Sequence, residues 1–100
     1  MSFQEPSLPV RKIVRIAAKP GLADAMRAAL RELELATKAE PGCREFRFFQ
    51  ALTEPDAFLL IEDFTSAEAL EGHMRQPHTR AFFARNLAAS IAAIERGWLS

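Results

Sequence analysis

The sequence predicts an α+β domain of order βαββααβ, a split-βαβ arrangement with an antiparallel sheet and its helices on one face. Three observations predict it. The hydrophobic period switches from strand-like to helical after Lys19-Pro20-Gly21, back after Pro41-Gly42, and to helical again after Phe64. The turn residues Thr53-Glu54-Pro55-Asp56 separate two alternating runs, as in a hairpin. Both faces of those runs are largely apolar, while the chain carries helices enough to cover only one.

Residues 1–9 read as an arm, and residues 10–100 as one domain. Val10 to Ala18 is rich in branched residues and alternates imperfectly, as a strand covered on both sides does. From Leu22, the residues Met26, Ala29, Leu30, Leu33 and Ala36 fall on one helical stripe, with Arg27, Arg31, Glu34 and Lys38 away from it. Asp24 suits the positive end of that helix. Pro41 cannot continue it and Gly42 readily takes a left-handed stop, which ends the helix near Ala39. Cys43 to Leu52 follows as a strand with Phe46 and Phe48 on one face and Cys43, Glu45, Arg47 and Phe49 on the other. Ala57 to Phe64 is the next, with Phe58, Leu60, Glu62 and Phe64 opposed to Leu59, Ile61 and Asp63.

Thr65-x-x-Glu68 has the form of a capping box and opens a short helix with Ala67, Leu70 and Met74 facing inward. Pro77 suits the first turn of a further helix, whose seam is Phe83, Leu87, Ile91 and Ile94, with Ala84, Ala88 and Ala92 allowing close approach. Gly97 interrupts that pattern, and Trp98-Leu99 is left for a last short strand.

Composition narrows the functions. One hundred residues make a single domain, and 49% apolar content excludes a disordered chain. Thirteen basic and 13 acidic residues balance to zero net charge, so there is no electrostatic footprint for nucleic acid or an anionic membrane. A single cysteine, Cys43, forms no internal disulfide and points to a reducing compartment. The first ten residues lack the apolar centre of a signal peptide, and no run approaches the ~20 apolar residues of a membrane span. The expected location is the cytoplasm.

Few residues carry chemistry. His73 and His78 are the two histidines, separated by Pro77 and therefore expected on different helices. No third protein ligand can be named beside them, so no metal is assigned. A histidine titrates near neutral pH, and His73, or secondarily His78, is the candidate proton donor or acceptor. The plainer alternative leaves both rings partly exposed. Glu62 is a carboxylate in register with Phe58, Leu60 and Phe64. It is either paired within the core or a base in an apolar cavity. Phe46, Phe48, Phe58, Phe64 and Phe82, with Phe83, are candidate walls for a planar hydrophobic ligand, although several must serve as core. Cys43 reads as a small buried hydrophobe, and the scattered glycines make no nucleotide loop.

From about Arg11 onward, several short motifs recur in a specific order. They are Lys19-Pro20-Gly21, Glu40-Pro41-Gly42-Cys43, Phe58-x-Leu60-x-Glu62, Glu68-Ala69-Leu70-x-x-His73 and Pro77-His78. Together they resemble the antibiotic biosynthesis monooxygenase (ABM) family. The resemblance implies a ferredoxin-like domain that forms a dimeric α+β barrel, two sheets packed face to face, each with a pocket between sheet and helices. The expected homodimer interface carries Phe49, Leu59 and Ile61. The resemblance further implies oxygenation of a small aromatic or quinol-type substrate without metal, flavin or other cofactor. Related family activities are haem degradation and reactions on small signalling molecules. Haem degradation is disfavoured, because the first strand lacks the asparagine of haem-degrading relatives and no histidine matches their haem ligand. Phe64 stands where many relatives have tryptophan, and the chain has no tyrosine. These departures keep two alternatives open: a non-catalytic small-molecule-binding or stress-response dimer, and an isomerase or lyase of the same family.

Overall fold

A computed structural model describes residues 8–94. Its elements run β1 (Val10–Ala18), α1 (Ala23–Lys38), β2 (Cys43–Gln50), β3 (Ala57–Phe64), α2 (Ala67–Met74), α3 (Pro77–Ala84) and β4 (Ala88–Ala93). The strands form one antiparallel sheet in the order β2-β3-β1-β4. The fold is the ferredoxin-like α+β class expected from the sequence.

Alternation along the strands sorts the sheet into two faces. Val14, Ile16, Phe46, Phe58, Leu60 and Phe64 point inward and are buried together with Met26, Ala29, Leu30 and Leu33 of α1. This is the stripe expected for that helix, with Thr37 buried beside it. On the opposite face Ile61 and Phe49 remain 38% and 46% exposed.

Four local expectations are corrected. Gly42 does not take a left-handed conformation; among the described glycines only Gly21 does, at φ 80°. Gly42 is required by space instead, because a Cβ there would stand 2.5 Å from the Cβ of Ala69 on α2. The cap of α2 is Ser66, not Thr65. Its hydroxyl accepts from the Ala69 N–H at 3.1 Å, and the inward side of the helix is Ala69, Leu70 and His73, with Met74 half exposed. A bulge between Cys43 and Glu45 shifts the register of β2 and turns Cys43 back against the core.

The largest correction concerns the last helix. It stops at Ala84, and Asn86 takes a left-handed φ of 53° that redirects the chain. Ala88–Ala93 then pairs with β1 as the sheet's edge strand. The expected seam through Leu87, Ile91 and Ile94 therefore belongs to a strand and its approach, and Ile91 faces the helices from the sheet. The strand proposed for Trp98-Leu99 lies outside the described residues.

Candidate functional site

The segment joining α1 to β2 is held from both ends. The Glu40 N–H donates to the Thr37 carbonyl at 2.9 Å, the Cys43 N–H donates to the Glu40 carbonyl at 3.1 Å, and the Thr65 N–H donates to the Gly42 carbonyl at 2.9 Å. Together with the close approach of Gly42 to Ala69, these bonds fix Glu40 relative to α2. That helix carries His73 in its last turn. After Arg75 the backbone opens at Gln76, and Pro77 starts α3 with His78 in its first turn. The short break places both imidazoles against Glu40.

One carboxylate oxygen of Glu40 receives both rings. His73 Nδ1 lies 2.8 Å from Glu40 Oε2, and His78 Nε2 lies 2.7 Å from the same atom. His73 is 4% exposed, and Thr79 Oγ1 stands 3.3 Å from its Nδ1 as a weaker second partner. A carboxylate accepts and does not donate, so each ring turns an N–H toward it. This assignment leaves Nε2 of His73 with its lone pair free. Phe46 and Phe64 hold the ring from two sides, each with its centroid 5.1 Å from that of His73.

His73 also forms part of the wall of a cavity of about 330 Å³ between the sheet and helices α2 and α3. Phe46, Phe48, Leu60, Phe82 and Ile91 supply apolar wall. Glu62 reaches the same cavity from β3 and is 8% exposed. Burial pushes its carboxyl up from the ordinary value, and the nearby positive charge of Lys12 partly offsets the shift. Lys12 stands opposite Glu62 on β1 and also lines the cavity.

The structure thus brings His73, Glu62, Phe46, Phe48 and Phe82 to one cavity, with Phe83 at its edge. His78 meets His73 through Glu40 and does not line the cavity. Phe58 and Phe64 are placed in the core rather than the lining: Phe64 backs the His73 ring, and Phe58 is buried toward the α1 end of the sheet. Cys43 is half-buried, and burial and the nearby carboxylates push its thiol up, which suits packing and not nucleophilic attack.

The sequence reading missed Glu40, Thr79 and Lys12. Glu40 carried a usable signal, because an acidic residue just past a helix C-terminus meets the unfavourable end of the helix dipole. Such placement calls for a compensating partner. Glu40, His73 and His78 are also the third-ligand arrangement that the sequence could not supply, since their donor atoms lie within 4.8 Å of one another. Two nitrogens and a carboxylate oxygen suit a divalent transition metal. The same three groups are equally satisfied as a proton-sharing network, with both rings hydrogen-bonded to one oxygen.

No helix among the described residues is long and apolar enough to cross a membrane. The family model for "Antibiotic biosynthesis monooxygenase" matches residues 9–85. A protein of Mycobacterium tuberculosis, "Putative monooxygenase Rv0793", is 33% identical over 70 residues, which cover 70% of this chain and 68% of that protein. Its solved structure superposes with a TM-score of 0.75 at 27% identity, over 87% of this chain and 93% of that one. PA3566 from Pseudomonas aeruginosa superposes with a TM-score of 0.83 at 29% identity, over 91% and 94% of the two chains. The cavity thus lies within the fold of a known family, and the chain belongs to the antibiotic biosynthesis monooxygenase family.

Proposed function

We propose that this protein is a cofactor-independent monooxygenase of small electron-rich aromatics, such as quinols, with His73 as its proton acceptor. The observation that carries the reading is the geometry of that ring. Glu40 engages Nδ1, so Nε2 is the basic nitrogen of a residue that lines an apolar cavity. A carboxylate that holds the opposite nitrogen both orients the imidazole and stabilises its charged form. The arrangement is a proton-abstraction device in a water-poor enclosure.

Deprotonation makes the quinol a one-electron reductant of dioxygen. The resulting pair recombines by forming a carbon–oxygen bond, one oxygen atom stays in the product and the other leaves as water. The substrate supplies the electrons that reduce that oxygen. In this scheme the protein binds the ring, removes a proton and limits access of bulk water. His78 assists by sharing Glu40, and Glu62 is a second acid or base within the cavity. The cavity volume lies near the lower end of the ~300–1,000 Å³ usual for small-molecule sites, which favours ligands of two or three fused rings.

Oxygen uptake with menadiol, measured on metal-stripped protein against the autoxidation background, tests the reading. The expected rate exceeds background and falls in His73→Ala. Absence of excess uptake across a panel of quinols and anthrones would leave the binding-protein alternative, and turnover under anaerobic conditions would identify an isomerase or lyase.

The assembly belongs to the same proposal. Phe49, Leu59 and Ile61 lie on the sheet face away from the helices, where a second copy is the simplest cover. Light scattering at micromolar concentration is expected to give a dimer mass, and a monomer mass there defeats this part. The single free thiol accords with a cytoplasmic setting.

A further inference from the structure

We propose that the cavity selects aromatic ligands bearing an anionic group, and that Lys12 is the residue that selects them. The inference rests on reading this cavity as the substrate site, but not on the reaction assigned to it.

The polar groups of the lining are distributed unevenly. His73 and Thr79 come from the helices, whereas Lys12 and Glu62 face each other from neighbouring strands. Among the described residues, Lys12 is the one Lys or Arg of the lining and Glu62 its one carboxylate; the remaining wall is almost wholly apolar. Among the described residues, the ion pairs join Arg11, Arg44, Arg47, Arg85 and Lys38 to acidic partners, and none includes Lys12. Its ammonium is exposed on a flexible stem, while Glu62 opposite is buried. Across this pair of strands the next position is Phe46, which lies opposite Glu62 and against the His73 ring.

A planar ligand against Phe46 would therefore present one edge to His73 and another toward Lys12 and Glu62. The sign of charge favoured there follows from the two side chains. Glu62 is buried, and burial pushes its carboxyl up from the ordinary value, so the exposed ammonium is the more accessible of the two groups to an incoming ligand. An accessible ammonium outside the described ion pairs suits a carboxylate or phenolate. A cationic ligand would meet the ammonium head-on. The ligand class is thus a two- or three-ring aromatic acid or acidic phenol, and Lys12 sets its specificity.

Three ligands of similar shape and different charge test this directly: 2-naphthoate, 2-naphthalenemethanol and 2-naphthylmethylammonium. Binding is measured calorimetrically at pH 7 without oxygen, so that no turnover is needed. Naphthoate is expected to bind about tenfold more tightly than either of the others. Lys12→Gln, on an exposed side chain, is expected to fold normally and to abolish that preference. Glu62→Gln, which leaves Lys12 in place, is expected to retain the preference. Tighter binding of the ammonium ligand, a preference unaltered in Lys12→Gln, or no binding of any ligand up to about 5 mM overturns the proposal. Oxygen uptake separates the two readings. A charge preference without oxygenation leaves the selectivity standing, and oxygenation without a charge preference removes the selectivity alone.

Discussion

Glu40 and Glu62 are both largely withdrawn from water, yet the protein treats them oppositely. Glu40 receives two imidazoles on one oxygen. Glu62 has only the opposing charge of Lys12 to offset its desolvation. The first carboxylate is satisfied as an anion and organises three segments. The second is kept toward its neutral form by its surroundings. Burial alone therefore says little about a carboxylate's role; the number and direction of its donors decide it.

Phe46 packs against His73 and stands opposite Glu62 on the sheet, so its truncation should have the largest effect. Phe46→Ala leaves a void where a ring 1% exposed had packed against Phe48, Phe64 and His73. The expected loss is about 3–5 kcal/mol in chemical denaturation. A loss under about 1 kcal/mol would mean the core closes over the void.

Substitution of each carboxylate by its amide should then give opposite signs. Glu40→Gln removes a charge-assisted acceptor from two rings, with an expected cost of about 1.5–3 kcal/mol. Oxygen uptake in that variant should fall about 100-fold or more, because the His73 tautomer is no longer enforced. Wild-type stability with wild-type turnover would reduce the cluster to an incidental contact.

Glu62→Gln should instead stabilise the protein at neutral and alkaline pH. The folded protein holds the Glu62 proton to higher pH than the unfolded chain, whose ordinary value is near 4.5. The folded state then binds more protons, so this contribution is complete below that value and is lost as pH rises through the folded-state value. Thermal melting at a series of pH values should show the variant's advantage growing from pH 4.5 upward. An advantage confined to acid pH would contradict the assignment.

The smallest effect is expected away from both regions. Lys38 pairs with Glu34 at 3.4 Å on the exposed side of α1. Lys38→Ala should cost no more than about 0.5 kcal/mol, within reach of a careful denaturant titration. A larger loss would show that charge on α1 reaches the Glu40 segment that follows it.

Much of the architecture was legible in the residues. The bounds of β1 and β3, the hairpin turn and Pro77 at the start of α3 follow from period-two alternation and turn chemistry, which are local properties. The candidate site was legible in half. His73 and Glu62 stood out because each is a polar residue in an apolar setting. Glu40 stands out only as a member of the short motif after the first helix, because its partners lie 33 and 38 residues away, beyond any local pattern.

What the sequence determined by itself is therefore what neighbouring residues decide: the strand and helix periods, the breaks between them, and a sheet with two apolar faces. Only the tertiary structure decided the fate of Ala88–Ala93. Its alanines have the highest helix propensity of any residue, yet β1 would otherwise leave a row of backbone donors and acceptors unpaired at its edge. The same packing decided the identity of the site. Gly42 lets α2 approach the end of α1, and that contact sets His73 and His78 on one oxygen of Glu40. Local propensities are worth fractions of a kcal/mol per residue, whereas completing a sheet and pairing a buried carboxylate are collective, long-range gains.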